Sequence, residues 1–149
     1  MKQYLMIGAG AYVCAIPIEE IVETMRPLAA ERVPGMPPYV RGLSVIRGSP
    51  VAVVDLVSLM GGAGSGDVTR FVTIRAGSRV VALAVPEVLG VGPLDDPAAG
   101  TPLPLIENAH PGLIQSTGTM AGRLLMVLRA GRILPEMVWG EMLSAGRGA

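Results

Sequence analysis

The sequence predicts an all-β protein: two small β-barrels packed into one body, followed by a short C-terminal helix. Glycine and proline come first, 20 and 13 of 149 residues, a frequency that breaks up long helices. Between them lie apolar or alternating runs of about four to seven residues, the length and period of strands. The strand pattern of the first half also recurs in the second.

Tyr4 to Ile7 and Val13 to Ile18 flank Gly8-Ala9-Gly10-Ala11 and read as a hairpin. The stretch Glu19 to Met25 fits either a helical turn or a strand. Gly42 to Ile46 and Val51 to Asp55 flank Arg47-Gly48-Ser49-Pro50, a second hairpin. Phe71 to Ile74 and Arg79 to Val85 flank Arg75-Ala76-Gly77-Ser78, a third. Leu124 to Leu128 is the last strong strand, and the polar stretch Pro111 to Ala121 before it reads as a loop. Only Pro135 to Leu143 reads as helix, with proline at a favoured first position and apolar Met137, Val138, Met142 and Leu143.

At an offset of 67, Ile7/Ile74, Ala9/Ala76, Gly10/Gly77, Val13/Val80, Ala15/Ala82 and Glu20/Glu87 coincide. Gly48-x-x-Val51-Ala-Val-Val54 matches Gly122-x-x-Leu125-Met-Val-Leu128 at an offset of 74. The difference is expected as an insertion within Pro93 to Pro104. The expected units are residues 1–61 and 68–134, joined by a linker over 61–67, with the helix at 135–144. A unit of roughly 70 residues buries little surface alone, so the two should share a core. The sequence leaves open which barrel each terminal segment completes.

Composition removes several function classes. Twelve basic residues balance twelve acidic ones, so the basic surplus of a nucleic-acid binder is missing. Half the residues are hydrophobic, which argues against a disordered chain. No apolar run is long enough to insert in a membrane as a helix. The single cysteine forms no internal disulfide, which suits the cytoplasm.

The candidate chemical groups are few. Cys14 aligns with Val81 of the second copy and reads as a strand residue. His110, the only imidazole, precedes Pro111 in a loop and is expected to be solvated. One thiol and one imidazole fall short of a zinc site or a catalytic triad. Gly61-Gly-Ala-Gly-Ser-Gly66 lacks the following Lys-Ser/Thr of a phosphate loop and reads as a linker. Asp55 is expected to cap the turn Leu56–Met60, and Asp95-Asp96 to face solvent. No cofactor or metal is expected, and no enzyme.

Val33-Pro-Gly-Met-Pro-Pro-Tyr-Val-Arg-Gly-Leu43, then Ile46-Arg-Gly48 and Val51-Ala-Val-Val-Asp-Leu56, closely resembles the central signature of the CheW family, VPxxPxxVxGLxNLRGxxxPVxDL. Ala15-Ile-Pro-Ile-Glu-Glu-Ile-Val-Glu23 is similar to the strand and turn before it. The resemblance covers residues 4 to about 134. It implies two five-stranded SH3-like barrels around a shared core and a cytoplasmic, non-catalytic adaptor. The implied partners are the regulatory domain of the CheA-type histidine kinase and the cytoplasmic tip of a chemoreceptor (a methyl-accepting chemotaxis protein). It also implies a pairing of Glu23 with Arg47, and a hydrophobic groove between the barrels for a receptor helix. Ile21, Val22, Met25, Val45 and Val88 are the candidates for that groove, each equally readable as core.

The chain departs from the pattern in places. The Asn of NLRG is Val45, and the proline after it has Ala52 or Val53 in its place, with Pro50 nearer the turn. Val85-Pro86 stands where a Val-Asp pair is common, and the Asp after the last strand is replaced around Arg129. These departures motivate a second reading, an SH3-like module that binds a peptide or helix outside chemotaxis.

Overall fold

A computed structural model describes residues 2–62, 67–94, 110–135 and 138–139. The three hairpins form where turn residues interrupt the apolar runs. Strands β1 (Gln3–Ala9) and β2 (Tyr12–Pro17) form the first, β4 (Val40–Ile46) and β5 (Ser49–Asp55) the second, and β6 (Arg70–Ala76) and β7 (Arg79–Val85) the third. The turn of the second hairpin is two residues long, shorter than expected. Arg47 (φ 51°) and Gly48 (φ 80°) both have positive φ, so Ser49 and Pro50 join the strand.

The ambiguous segment is both things in turn. Ile18–Glu20 is one 3-10 turn, and β3 (Ile21–Met25) follows it. Two strands were not expected: β8 (Glu87–Pro93), hidden by Gly90, Gly92 and Pro93, and β9 (Ile114–Met120). The latter corrects the reading of Pro111 to Ala121 as a loop. Its hydroxyl-rich sequence forms an edge strand through pairing with β10 (Arg123–Leu128). After β10 comes a 3-10 turn at Ala130–Arg132. Of the expected helix 135–144, Pro135, Val138 and Trp139 are described; Val138 and Trp139 are helical, and both donate backbone N–H groups to the Pro135 carbonyl. The rest of that helix, most of Pro93 to Pro104, the middle of the 61–67 linker and Asp95-Asp96 lie outside the described residues.

The ten strands form two five-stranded sheets, ordered β8-β1-β2-β10-β9 and β3-β6-β7-β5-β4. The SH3-like description fits both. The repeat expected from the sequence is seen in the strand starts. Gln3 to Arg70 and Tyr12 to Arg79 each step 67 residues, while Val40 to Ile114 and Ser49 to Arg123 each step 74. The first sheet takes the β1–β2 hairpin from the first copy and its other three strands from the second. The second sheet takes the β6–β7 hairpin from the second copy and its other three strands from the first. Each sheet has one parallel junction between the copies, β2 with β10 (Cys14 opposite Met126) or β5 with β7 (Val53 opposite Ala82), and one antiparallel junction, β1 with β8 or β3 with β6. Units 1–61 and 68–134 therefore do not coincide with the sheets, and the question of strand exchange is answered by a reciprocal swap.

Burial follows this arrangement. One face of each sheet encloses a small core of its own: Tyr4, Met6, Val13, Ala15, Leu125 and Val127 in the first, and Ile46, Val51, Val53, Phe71, Ala82 and Ala84 in the second. The opposite faces meet in a larger shared core that includes Ile7, Ile16, Val54, Ile74, Leu83 and Met126. A strand buried on both faces needs no polar alternation, which explains the wholly apolar Val81-Ala-Leu-Ala-Val85.

Candidate functional site

In the second sheet β3 and β4 are the two edges, yet they meet at an ion pair. The β4–β5 turn carries Arg47 back to β3, where its Nε donates to Glu23 Oε2 at 2.7 Å and its Nη2 to Oε1 at 2.8 Å. This is the two-pronged geometry that a guanidinium offers and an ammonium cannot. Arg47 holds Glu23 below the usual carboxylate range, and Glu23 raises the Arg47 guanidinium further above its own. The arginine side chain is 77% exposed and the glutamate 25%, so salt screens this pair.

The backbone under the pair is unusual at both ends. Arg47 occupies the left-handed region, which disfavours side chains with a Cβ. Glu23 follows a β-bulge, with Ile21 opposite Ile74 and Glu23 opposite Thr73, so Val22 is the extra residue. At the bulge the Thr73 hydroxyl accepts from the Glu23 N–H and donates to the Glu23 carbonyl, both at 3.2 Å.

The five groove candidates divide. Ile21 and Val88 are partly buried against the shared core, and Met25 against the core of the second sheet. Val22 is 40% exposed and Val45 70%, the most exposed of the large hydrophobic side chains among the described residues. Val45 faces Pro50 across the hairpin, two positions before Arg47. Sequence reading missed Leu89 and Val91, both exposed on β8. The signal available was the repeat, because Leu89 is the bulge residue of β8 as Val22 is of β3.

A second ion pair lies on the same hairpin. Asp55 accepts the Ser58 N–H at the start of α1 (Leu56–Leu59), the expected cap, and also accepts from Arg41 Nε at 3.1 Å. Arg41 was not anticipated. The pair lines a groove of about 940 Å³ under the β3–β4 connection, together with Leu28, Arg32, Pro34 and Met36.

The remaining chemical groups are structural. Cys14 is fully buried, which pushes its thiol up to about 12 and leaves it unreactive. His110 is half-buried rather than solvated. It packs edge-on to Tyr39 with ring centres 5.2 Å apart, and burial lowers its pKa. Among the described residues no group of three or more His, Cys, Asp or Glu is placed to hold a metal ion, and no helix is long and apolar enough to cross a membrane.

A family model described as "CheW-like domain" matches residues 3–137. The fold is similar to that of the scaffolding protein TtCheW from Thermoanaerobacter tengcongensis, with a TM-score of 0.70 and 16% identity over 86% of this chain and 88% of that one. Comparison with curated protein sequences gives no match.

Proposed function

Since the chain belongs to the CheW-like domain family, we propose that it is a non-catalytic adaptor coupling chemoreceptors to the histidine kinase CheA in chemosensory signalling. The observation that carries this reading is Arg47. A two-residue turn with both φ values positive is best served by asparagine or glycine. An arginine there disfavours the turn and projects a fixed cation, paired with Glu23 and flanked by exposed Val45. Such a residue serves the surface more than the fold.

The proposed mechanism is geometric. The adaptor holds the kinase's regulatory domain and the receptor's cytoplasmic tip together, which raises their effective concentration. The two barrels share one core, so a shift imposed at one partner's surface reaches the other through a rigid body. The protein acts in the cytoplasm, recruited to receptor arrays at the membrane. Val45, standing where the family pattern has an amide, favours a second reading: an SH3-like peptide- or helix-binding module outside chemotaxis.

Pull-down and calorimetry with a CheA regulatory domain and a receptor cytoplasmic fragment from the same organism test both readings. Wild-type protein should bind, and Arg47→Ala should weaken binding with the melting temperature nearly unchanged. Failure to bind either partner at tens of micromolar (a free energy of about −6 kcal/mol) would remove the adaptor reading in favour of the second.

A further inference from the structure

We infer that Thr73, contributed by the second repeat, is a positioning residue that sets the docking surface by fixing the backbone from which Glu23 reaches Arg47. Thr73 is 1% exposed and lies on the barrel-facing side of β6, the side that also carries Phe71. Each of its neighbours Phe71, Val72 and Ile74 is a buried hydrophobe, so a hydroxyl there is an exception. Its donor and acceptor both go to one residue, the N–H and C=O of Glu23.

The bulge gives this hydroxyl its task. An extra residue in β3 interrupts the regular ladder at Val22 and leaves neighbouring backbone groups without their usual partners. The Thr73 hydroxyl satisfies both Glu23 groups from inside the barrel, which fixes the direction of the Glu23 Cα–Cβ bond. A bidentate pair tolerates little angular error, so this direction decides whether both carboxylate oxygens meet the guanidinium. The equivalent of Thr73 in the first repeat is Met6, and the equivalent of Glu23 is Gly90, so the device exists only in the second sheet. Thr73 touches no partner itself and acts through Glu23.

The inference rests on the adaptor reading for its consequence at the partner, but not for its geometry, and the experiment separates the two. Thr73→Val keeps the branched shape and loses the hydroxyl, whereas Thr73→Ser keeps the hydroxyl. The Glu23 carboxyl is followed by NMR titration in the full chain, alongside affinity for the CheA regulatory domain and the receptor fragment. In Thr73→Val the Glu23 midpoint should rise toward the ordinary carboxylate range. Affinity should fall by about threefold to tenfold, and Thr73→Ser should restore both. In a Glu23→Gln background, Thr73→Val should cause no further loss of affinity.

An unchanged Glu23 midpoint in Thr73→Val, or a serine variant that fails to restore it, overturns the inference even if both variants melt below wild type. If wild-type protein binds neither partner, the adaptor reading falls and the titration alone decides the role of Thr73. Should Thr73→Val not fold, Thr73→Ala carries the same readout.

Discussion

Among the described residues two non-glycine residues have positive φ, and they differ in what that strain accomplishes. Arg47 and Ala121 sit at equivalent turns, φ 51° and 50°, each followed by a glycine. Ala121 is exposed, so Ala121→Gly should stabilise the protein by about 0.5–1 kcal/mol in denaturant unfolding, because left-handed strain outweighs the added chain entropy. Arg47→Gly relieves the same strain, so its melting temperature should match or exceed that of wild type while partner binding falls. A large loss of stability instead would make Arg47 a structural residue. Glu20 offers a test in pH. Burial, and then the neighbouring Glu19, raise its carboxyl above the ordinary range, Lys2 and the Ala130 N–H oppose that, and one oxygen is buried without a partner. The folded state thus holds the proton more tightly than the unfolded state, and stability falls as pH rises from the ordinary carboxylate range through the raised pKa. Glu20→Gln should therefore raise the melting temperature at neutral pH and have little effect near pH 3, measured by thermal melts at both.

At the scale of elements, the edges of the sheets are where the chain is most specialised. Strand β4 would present an open edge, but Glu31 in the preceding connection covers it through two backbone hydrogen bonds of 2.8 Å with Leu43. This close approach depends on Gly42, at φ 138°, where a Cβ would overlap the Glu31 carbonyl. Gly42→Ala should cost about 2 kcal/mol or more in chemical denaturation, through both the clash and the backbone strain. An effect near zero would show that the bridge contributes nothing to β4. Val22 and Leu89 are the extra residues of the β3 and β8 bulges, and both side chains are exposed. Leu89 was missed because β8 was not read as a strand, and Val22 was not separated from the core because its segment read equally as a helical turn. Ile21 and Val88 occupy matching places beside these bulges, and both turn inward.

Over the whole molecule, the reciprocal exchange makes the two halves of the chain one folding unit. Neither sheet can lose its exchanged hairpin, β1–β2 or β6–β7, without opening the shared core, since each pairs on both sides with strands of the other repeat. Scanning calorimetry should give a single transition whose calorimetric and van't Hoff enthalpies agree. Two resolved transitions would mean that the sheets unfold independently and that the shared core is weaker than its burial implies. The C-terminal segment adds to the same unit: Trp139 packs into the shared core, and Arg79 of β7 lies 5.0 Å from its ring centre.

The sequence by itself determined the all-β class, the three hairpins, the repeat with its two offsets, the Asp55 cap and the pairing of Glu23 with Arg47. Most of these are written in local alternation and turn chemistry; the ion pair was legible only through the resemblance of the signature. Tertiary structure decided which copy supplies each strand, where the edge strands bulge, and which apolar residues remain outside. The physical reason lies in the repeat. Two copies of one pattern offer every strand two nearly equal partners, and only the packing of the shared core between the sheets selects one.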